Sequence, residues 1–278
     1  MKPDRLLFGT AGIPLSCKVR DSVLGIARVK ELELDAMELE FVRGVNMSLE
    51  KARDIRDENE MHKILLTAHA PYYVNLNSLE VQKIEDSIKR ILDTARVARE
   101  AGAWSFTFHA GFYMKIDEDT VYKKIKKGIS HVIEALEQDE NDIWVRPETT
   151  GKSTQFGSYK ELIKLSAEFD QVQPCIDFSH LHARSGGKVN TYEEFSDILH
   201  EVEKGLGKHA LQNMHAHVSG IAYSDKGERN HLVLEQSDFN YPDLMRALKD
   251  YKACGVVVCE SPNIEEDALL LKKTYESL

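Results

Sequence analysis

Histidines and carboxylates recur in this chain at one kind of position: the end of a short hydrophobic run, or the loop just after it. The runs are Ile64–His69, Ser105–His109, Ile143–Glu148, Val172–Asp177, Leu211–His215 and Val256–Glu260. Seven of the eleven histidines follow this rule, namely His69, His109, His180, His182, His215, His217 and His231. Imidazole with carboxylate is the ligand set of zinc and similar divalent transition metals, and the candidates outnumber what one ion can use. A single histidine at a strand end is ordinarily a hydrogen-bonded structural residue. Many such groups on one face would leave buried charges unpaired unless cations were present. The pattern therefore predicts a multi-metal enzyme. His62, His131, His200 and His209 lie in or beside helical segments and read as surface or packing residues.

To bring these side chains together the elements must open onto a common face. Strand candidates are Leu6–Phe8, Ala36–Glu40, Ile64–His69, Trp104–His109, Ile143–Glu148, Val172–Asp177, Leu211–His217 and Val256–Glu260. Amphipathic segments lie between them, as in Ser78–Ala101, where Val81, Ile84, Ile88, Ile91, Leu92, Ala95 and Ala98 fall at helical spacing before Gly102. Further helices are expected near 117–136, 158–169, 191–204, 241–251 and 264–278. Eight strand–helix units predict an α/β fold, a parallel TIM (β/α)8 barrel in one domain over residues 1–278, with the ligands at the C-terminal ends of the strands. An open doubly wound sheet is the alternative, but no glycine-rich dinucleotide turn follows the first strand. The longest uncovered loops, Ser179–Asn190 and Val218–Asp238, both follow ligand-bearing strands, and length marks function.

Composition sets bounds. No apolar leader precedes the first strand and no stretch is long and apolar enough to span a bilayer, so a cytoplasmic protein without membrane contact is expected. Four cysteines without paired spacing, Cys17, Cys175, Cys254 and Cys259, read as reduced, packed thiols. A formal net charge of -10 argues against broad coating of nucleic acid but leaves room for a local phosphate site, since bound divalent ions would cancel part of it. The Lys123–Lys127 run reads as a solvated helix face, and the Arg184–Lys188 loop as the better phosphate contact.

Six motifs carry a resemblance to a known family: His69-Ala70-Pro71-Tyr72 with Asn75-Leu76, Phe108-His109-Ala110-Gly111, Pro147-Glu148-Thr149-Thr150-Gly151, Cys175-Ile176-Asp177-Phe178-Ser179-His180, Met214-His215, and Glu260-Ser261-Pro262-Asn263. In this order they resemble endonuclease IV, the zinc-dependent endonucleases that act at apurinic/apyrimidinic sites in base-excision repair. The resemblance implies two or three zinc ions, with manganese as the alternative metal. One would be held by His69, His109 and a bridging Glu148; the second by Glu148, Asp177, His215 and Glu260; the third by His180 with Glu228 and His231. It further implies Glu148, Asp177 and Glu260 as the catalytic carboxylates, damaged double-stranded DNA as the partner of a monomeric enzyme, and cleavage of the phosphodiester 5′ to the abasic site. A pair of such ions suits that reaction because it activates water near neutral pH and stabilises both oxygens of an in-line displacement.

The chain departs from the family at two places. Where the family reads Asp-x-His, this chain reads Glu228-Arg229-Asn230-His231, an acid one carbon longer and a histidine one position further on. After the second strand, Phe41-Val42-Arg43-Gly44-Val45-Asn46 replaces a segment that inserts side chains into DNA, leaving Arg43 for that role, with Tyr72 and Arg184 as the other DNA contacts. His182 and His217 are spare imidazoles. Two rival readings stand beside this one: a single-metal sugar isomerase or epimerase using Glu148, Asp177, His215 and Glu260, and a non-catalytic metal-stabilised barrel that binds damaged DNA or a protein.

Overall fold

The computed structural model describes residues 3–278, so Met1 and Lys2 of the expected span lie outside it. Eight parallel strands form the barrel: β1 Leu6–Ala11, β2 Ala36–Glu40, β3 Leu65–His69, β4 Ser105–Phe108, β5 Trp144–Pro147, β6 Cys175–Asp177, β7 Met214–Val218 and β8 Gly255–Cys259. They pair in the order β5-β4-β3-β2-β1-β8-β7-β6. The bridges Val145 to Val172 and Glu148 to Cys175 bring the two ends together, so the barrel is nearly closed. Strand packing is close at Gly9, where a Cβ would stand 2.3 Å from the Ala36 carbonyl oxygen.

The expected helices form, with ends set by local capping. Ser158 and Thr191 each close a capping box ahead of Tyr159–Ser166 and Tyr192–Leu206. The third outer helix starts at Val81 rather than Ser78, because Ser78 Oγ accepts the Glu80 amide and holds a turn there. Main-core residues such as Met37, Leu39, Phe106, Phe108 and Val257 fill the layer between strands and helices. No described helix is long and apolar enough to cross a membrane, and no disulfide joins any two of the four cysteines among the described residues.

Two expected loops are structured. In the segment Ser179–Asn190, residues Phe178–Arg184 form a helix whose N-cap is Asp177, Oδ1 accepting from the His180 amide at 2.7 Å. The Val218–Asp238 segment folds as a hairpin of Gly220–Ser224 with Gly227–Leu232, turning at Gly227 with φ of 89°.

Strand alternation decides what the barrel encloses. Met37 and Leu39 face the helices, whereas Glu38 faces inward together with Thr67, Thr107, Arg146, His215 and His217, all 0% exposed. Towards the base of the barrel the Arg146 guanidinium donates to the Asn213 carbonyl at 2.8 Å and lies 4.6 Å from the Trp104 ring centroid. The upper part of the interior is filled by imidazoles and carboxylates.

Candidate metal centre at the barrel mouth

Glu148, just beyond β5 and 1% exposed, sits at the centre of the cluster. Its Oε2 lies 3.0 Å from His69 Nε2. Its Oε1 lies 3.3 Å from His109 Nε2, 3.2 Å from His180 Nδ1 and 3.5 Å from His217 Nδ1. His217 Nδ1 is also 3.3 Å from Glu260 Oε1, and His180 Nδ1 is 3.1 Å from Asp177 Oδ2. Donor atoms converge in three groups at this mouth: His69, His109 and Glu148; Glu148, Asp177, His217 and Glu260; His180, His231 and Glu260. A cavity of about 270 Å³ opens over them, lined by His69, Tyr72, His109, Glu148, His180, Glu228, His231 and Glu260.

The orientation of the rings suits metal ligation. His69, His180 and His231 each place Nδ1 on a backbone carbonyl, Ala70 at 2.7 Å, Thr149 at 3.0 Å and Glu260 at 3.1 Å. With the proton on Nδ1, each Nε2 keeps its lone pair for a cation, and the ring cannot rotate away. His109 Nε2, His217 Nδ1, Glu148 Oε1, Asp177 Oδ2 and Glu260 Oε2 are buried without a hydrogen bond. Several stand within 3.5 Å of one another yet lack hydrogen-bond geometry, close to the spacing of about 3.3–3.8 Å between ligands on one tetrahedral zinc. These residues fit divalent ions.

Charge in the protein alone is balanced by protons. Burial opposes ionisation of Glu148, but His109 and His217 hold it well below the usual carboxylate range. Glu260, half-buried, is drawn down to about 2 by His217. His69 is raised to about 10, its burial outweighed by the hydrogen bond to Glu148. Burial pushes Asp177 up to about 6, against the pull of His180. A dication in this pocket displaces protons from the rings that face it.

Several sequence expectations change. His215 is not in the mouth; His217 takes the place expected for it. Register explains why: His217 pairs with Asp177 in β6, whereas His215 is level with Cys175, one inward-facing layer deeper. There His215 faces Glu38 Oε2 at 3.0 Å and Ser105 Oγ at 3.0 Å, and burial lowers it to about 4. Arg184 does not reach outward to a phosphate. Its guanidinium donates to Thr150 Oγ1 and to the Gln155 carbonyl, both at 3.0 Å, and so fastens the loop after β5. His182 is also committed, Nδ1 to the Val189 carbonyl at 3.0 Å and Nε2 to Asp238 Oδ1 at 3.1 Å.

Glu228 and His231, from the hairpin, do come to the cavity, with Glu228 Oε2 3.6 Å from His180 Nε2. Gly151 makes room for that carboxylate, since a Cβ there would stand 2.6 Å from Glu228 Oε2. Tyr72 is 59% exposed, its ring centroid 5.9 Å from that of His69. Its amide donates to the Val42 carbonyl at 3.4 Å, which sets exposed Arg43 on the adjoining rim.

Sequence reasoning missed Glu38 and Glu40. Thr67 Oγ1 donates to Glu38 Oε2 at 2.7 Å, and Glu40 is pushed up to about 8 by burial and by the neighbouring Glu38 charge. Their signal was the alternation Met37-Glu38-Leu39-Glu40-Phe41, which puts two acids on the inward face of a buried strand.

Comparison with known proteins follows the same lines. Residues 26–277 match the profile of a family described as xylose isomerase-like TIM barrel. An uncharacterized protein of Methanocaldococcus jannaschii is 47% identical over 273 residues, 98% of each chain. A probable endonuclease 4 of Aquifex aeolicus is 25% identical over 185 residues, 66% of this chain and 62% of its own. Another, of Clostridium botulinum, is 24% identical over 245 residues, 81% of this chain and 86% of its own. Among solved structures, endonuclease IV from Thermus thermophilus superposes with a TM-score of 0.71 at 19% identity, covering 96% of this chain and 98% of that one. A D-tagatose 3-epimerase-like protein does so with 0.73 at 17% identity, covering 96% of each. At these identities the structural likenesses speak for the fold alone.

Proposed function

The chain belongs to the xylose isomerase-like TIM barrel family, and from that premise we propose that it is a metal-dependent hydrolase that incises duplex DNA 5′ to abasic sites, with zinc, or manganese in its place, in two or three positions. One observation carries this reading. Beside the four-residue group Glu148, Asp177, His217 and Glu260, which suffices for one ion, His69 and His109 form a second group on Glu148, and His180 and His231 form a third with Glu260. Proton transfer next to a sugar carbonyl needs one ion; in-line displacement at a phosphodiester gains from two or more. The probable endonucleases 4 among the relatives support the same choice.

When bound, such ions polarise the phosphate, lower the pKa of an attacking water and stabilise the departing oxygen. The chain supplies the frame. Glu148 directs its two oxygens to different neighbours, Oε2 to His69 and Oε1 towards His109, His180 and His217, so its rigid carboxylate sets the spacing of the groups. Asp177 is fixed by its cap on the His180 amide, and that hydrogen bond leaves Oδ2 for ligation. Tyr72, exposed beside His69, offers a flat face on which a sugar or base can stack, and Arg43 on the next loop offers a cation to the backbone.

A single-turnover assay of the zinc-loaded and manganese-loaded protein on an abasic duplex and on an intact one tests the proposal. The expected result is a nick at the abasic position, leaving a 3′-hydroxyl, with none on the intact duplex and none after chelation. Tyr72→Ala is expected to weaken binding of the abasic duplex more than it slows the bound complex. No incision with either metal, together with label exchange at the carbon beside a ketose carbonyl, would transfer the assignment to a single-metal epimerase.

A further inference from the structure

One layer below the mouth lies a second, wholly enclosed convergence of ligand-type side chains. Cys175, His215 and His217 offer donor atoms within 4.8 Å of one another, and all three are 0% exposed. Glu38, equally buried, lies beside the two rings: Oε2 is 3.0 Å from His215 Nε2 and Oε1 is 3.0 Å from His217 Nε2. Hydrogen bonds would be ordinary at that distance. Yet Glu38 Oε1, His215 Nε2 and His217 Nε2 make none, because the rings do not aim their N–H bonds at the carboxylate. Three unpaired polar atoms in one fully buried spot are costly unless something else pairs them. Ser105 Oγ occupies His215 Nδ1 at 3.0 Å, which leaves Nε2 as the nitrogen turned to the group.

We propose that Cys175, His215 and His217 form a deep divalent-metal site, separate from the mouth centre and joined to it through the His217 ring. A thiolate and two imidazoles are all ligand types that zinc takes, and because the three residues are fully buried no substrate reaches the site. The His217 ring spans the two layers, Nδ1 towards Glu260 and Glu148 and Nε2 towards Glu38. With both layers filled, this ring binds through both nitrogens as an imidazolate. Loading the deep site therefore releases the Cys175 thiol proton and the remaining His217 ring proton to solvent. Because the site is enclosed, its ion enters as the chain folds and exchanges slowly. The inference does not depend on which reaction the mouth performs.

The test uses cobalt(II) as the probe in the full-length protein, refolded or expressed with cobalt until elemental analysis shows a constant metal content. A thiolate bound to cobalt(II) gives an intense near-ultraviolet charge-transfer band. No mouth ligand contains sulfur, so the band reports the deep site alone. The expected result is a band that persists in Glu148→Gln and after brief chelation, and that disappears in Cys175→Ser with the loss of one metal equivalent. A cobalt-replete native chain without the band overturns the proposal even if Cys175→Ser fails to fold. A folded Cys175→Ser chain with undiminished metal content overturns it equally.

Discussion

Glu148→Gln will strip metal from the two groups that meet at this residue and lower abasic-site incision by orders of magnitude, as expected of a reaction that loses its metal assistance. The side chain keeps its shape, so the barrel should keep its circular dichroism spectrum. What changes is charge: an amide is a poor ligand for zinc and offers only one oxygen. The expectation follows from geometry, because the Glu148 carboxylate lies within 3.5 Å of ring nitrogens from four histidines, His69, His109, His180 and His217. His69→Ala, which removes one ligand from one group, should leave the Glu148, Asp177, His217 and Glu260 group loaded. Elemental analysis of both variants beside single-turnover incision separates loss of the shared ligand from loss of a peripheral one.

The second large effect is on stability. Removing the metal with a chelator is expected to lower the melting temperature by about 8–16 °C: a ligand at a thousand times its dissociation constant contributes about 4 kcal/mol, and a chain of this size shifts by about 2–4 °C per kcal/mol. The metal-free chain should also acquire a distinctive pH dependence. His69, raised to about 10, contributes stability that is fully present below its unfolded value of about 6.5 and lost as pH rises through 10. Glu260, drawn down to about 2, contributes stability present above its unfolded value of about 4.3 and lost as pH falls through 2. For these two groups the metal-free protein is therefore most stable between about pH 4.3 and 6.5, and it should weaken on the alkaline side where the loaded protein does not. Differential scanning calorimetry with and without chelator across pH 5–10 checks both the size and the sign.

The barrel was legible because each strand is a short apolar run closed by a turn, too short for a buried helix and alternating regularly with amphipathic segments. The mouth residues were legible for a related reason: a polar side chain at the end of such a run has nowhere to go but the open face. Depth was harder to read. His215 and His217 share one face of β7, and only the pairing of His217 with Asp177 across the sheet decides which ring is level with Glu148. Glu38 lies within its run rather than at its end, so a search at strand ends passes over it, whereas Glu40 closes β2 and its position carried the signal. Arg184 looked like a free cation in a glycine-rich loop, and only tertiary contact reveals the carbonyls that occupy it. The hairpin carrying Glu228 and His231 depends on a turn at Asp225-Lys226-Gly227 that composition marks only as loop.

Hydrolysis at this mouth requires that it hold more than one ion. An anomalous-difference map from zinc-loaded crystals tests it most directly. Two strong peaks about 3.5–4 Å apart are expected, one between His69, His109 and Glu148, the other between Glu148, Asp177, His217 and Glu260. A single mouth peak at full zinc occupancy, confined to the second group with His69 and His109 unligated, would contradict that expectation.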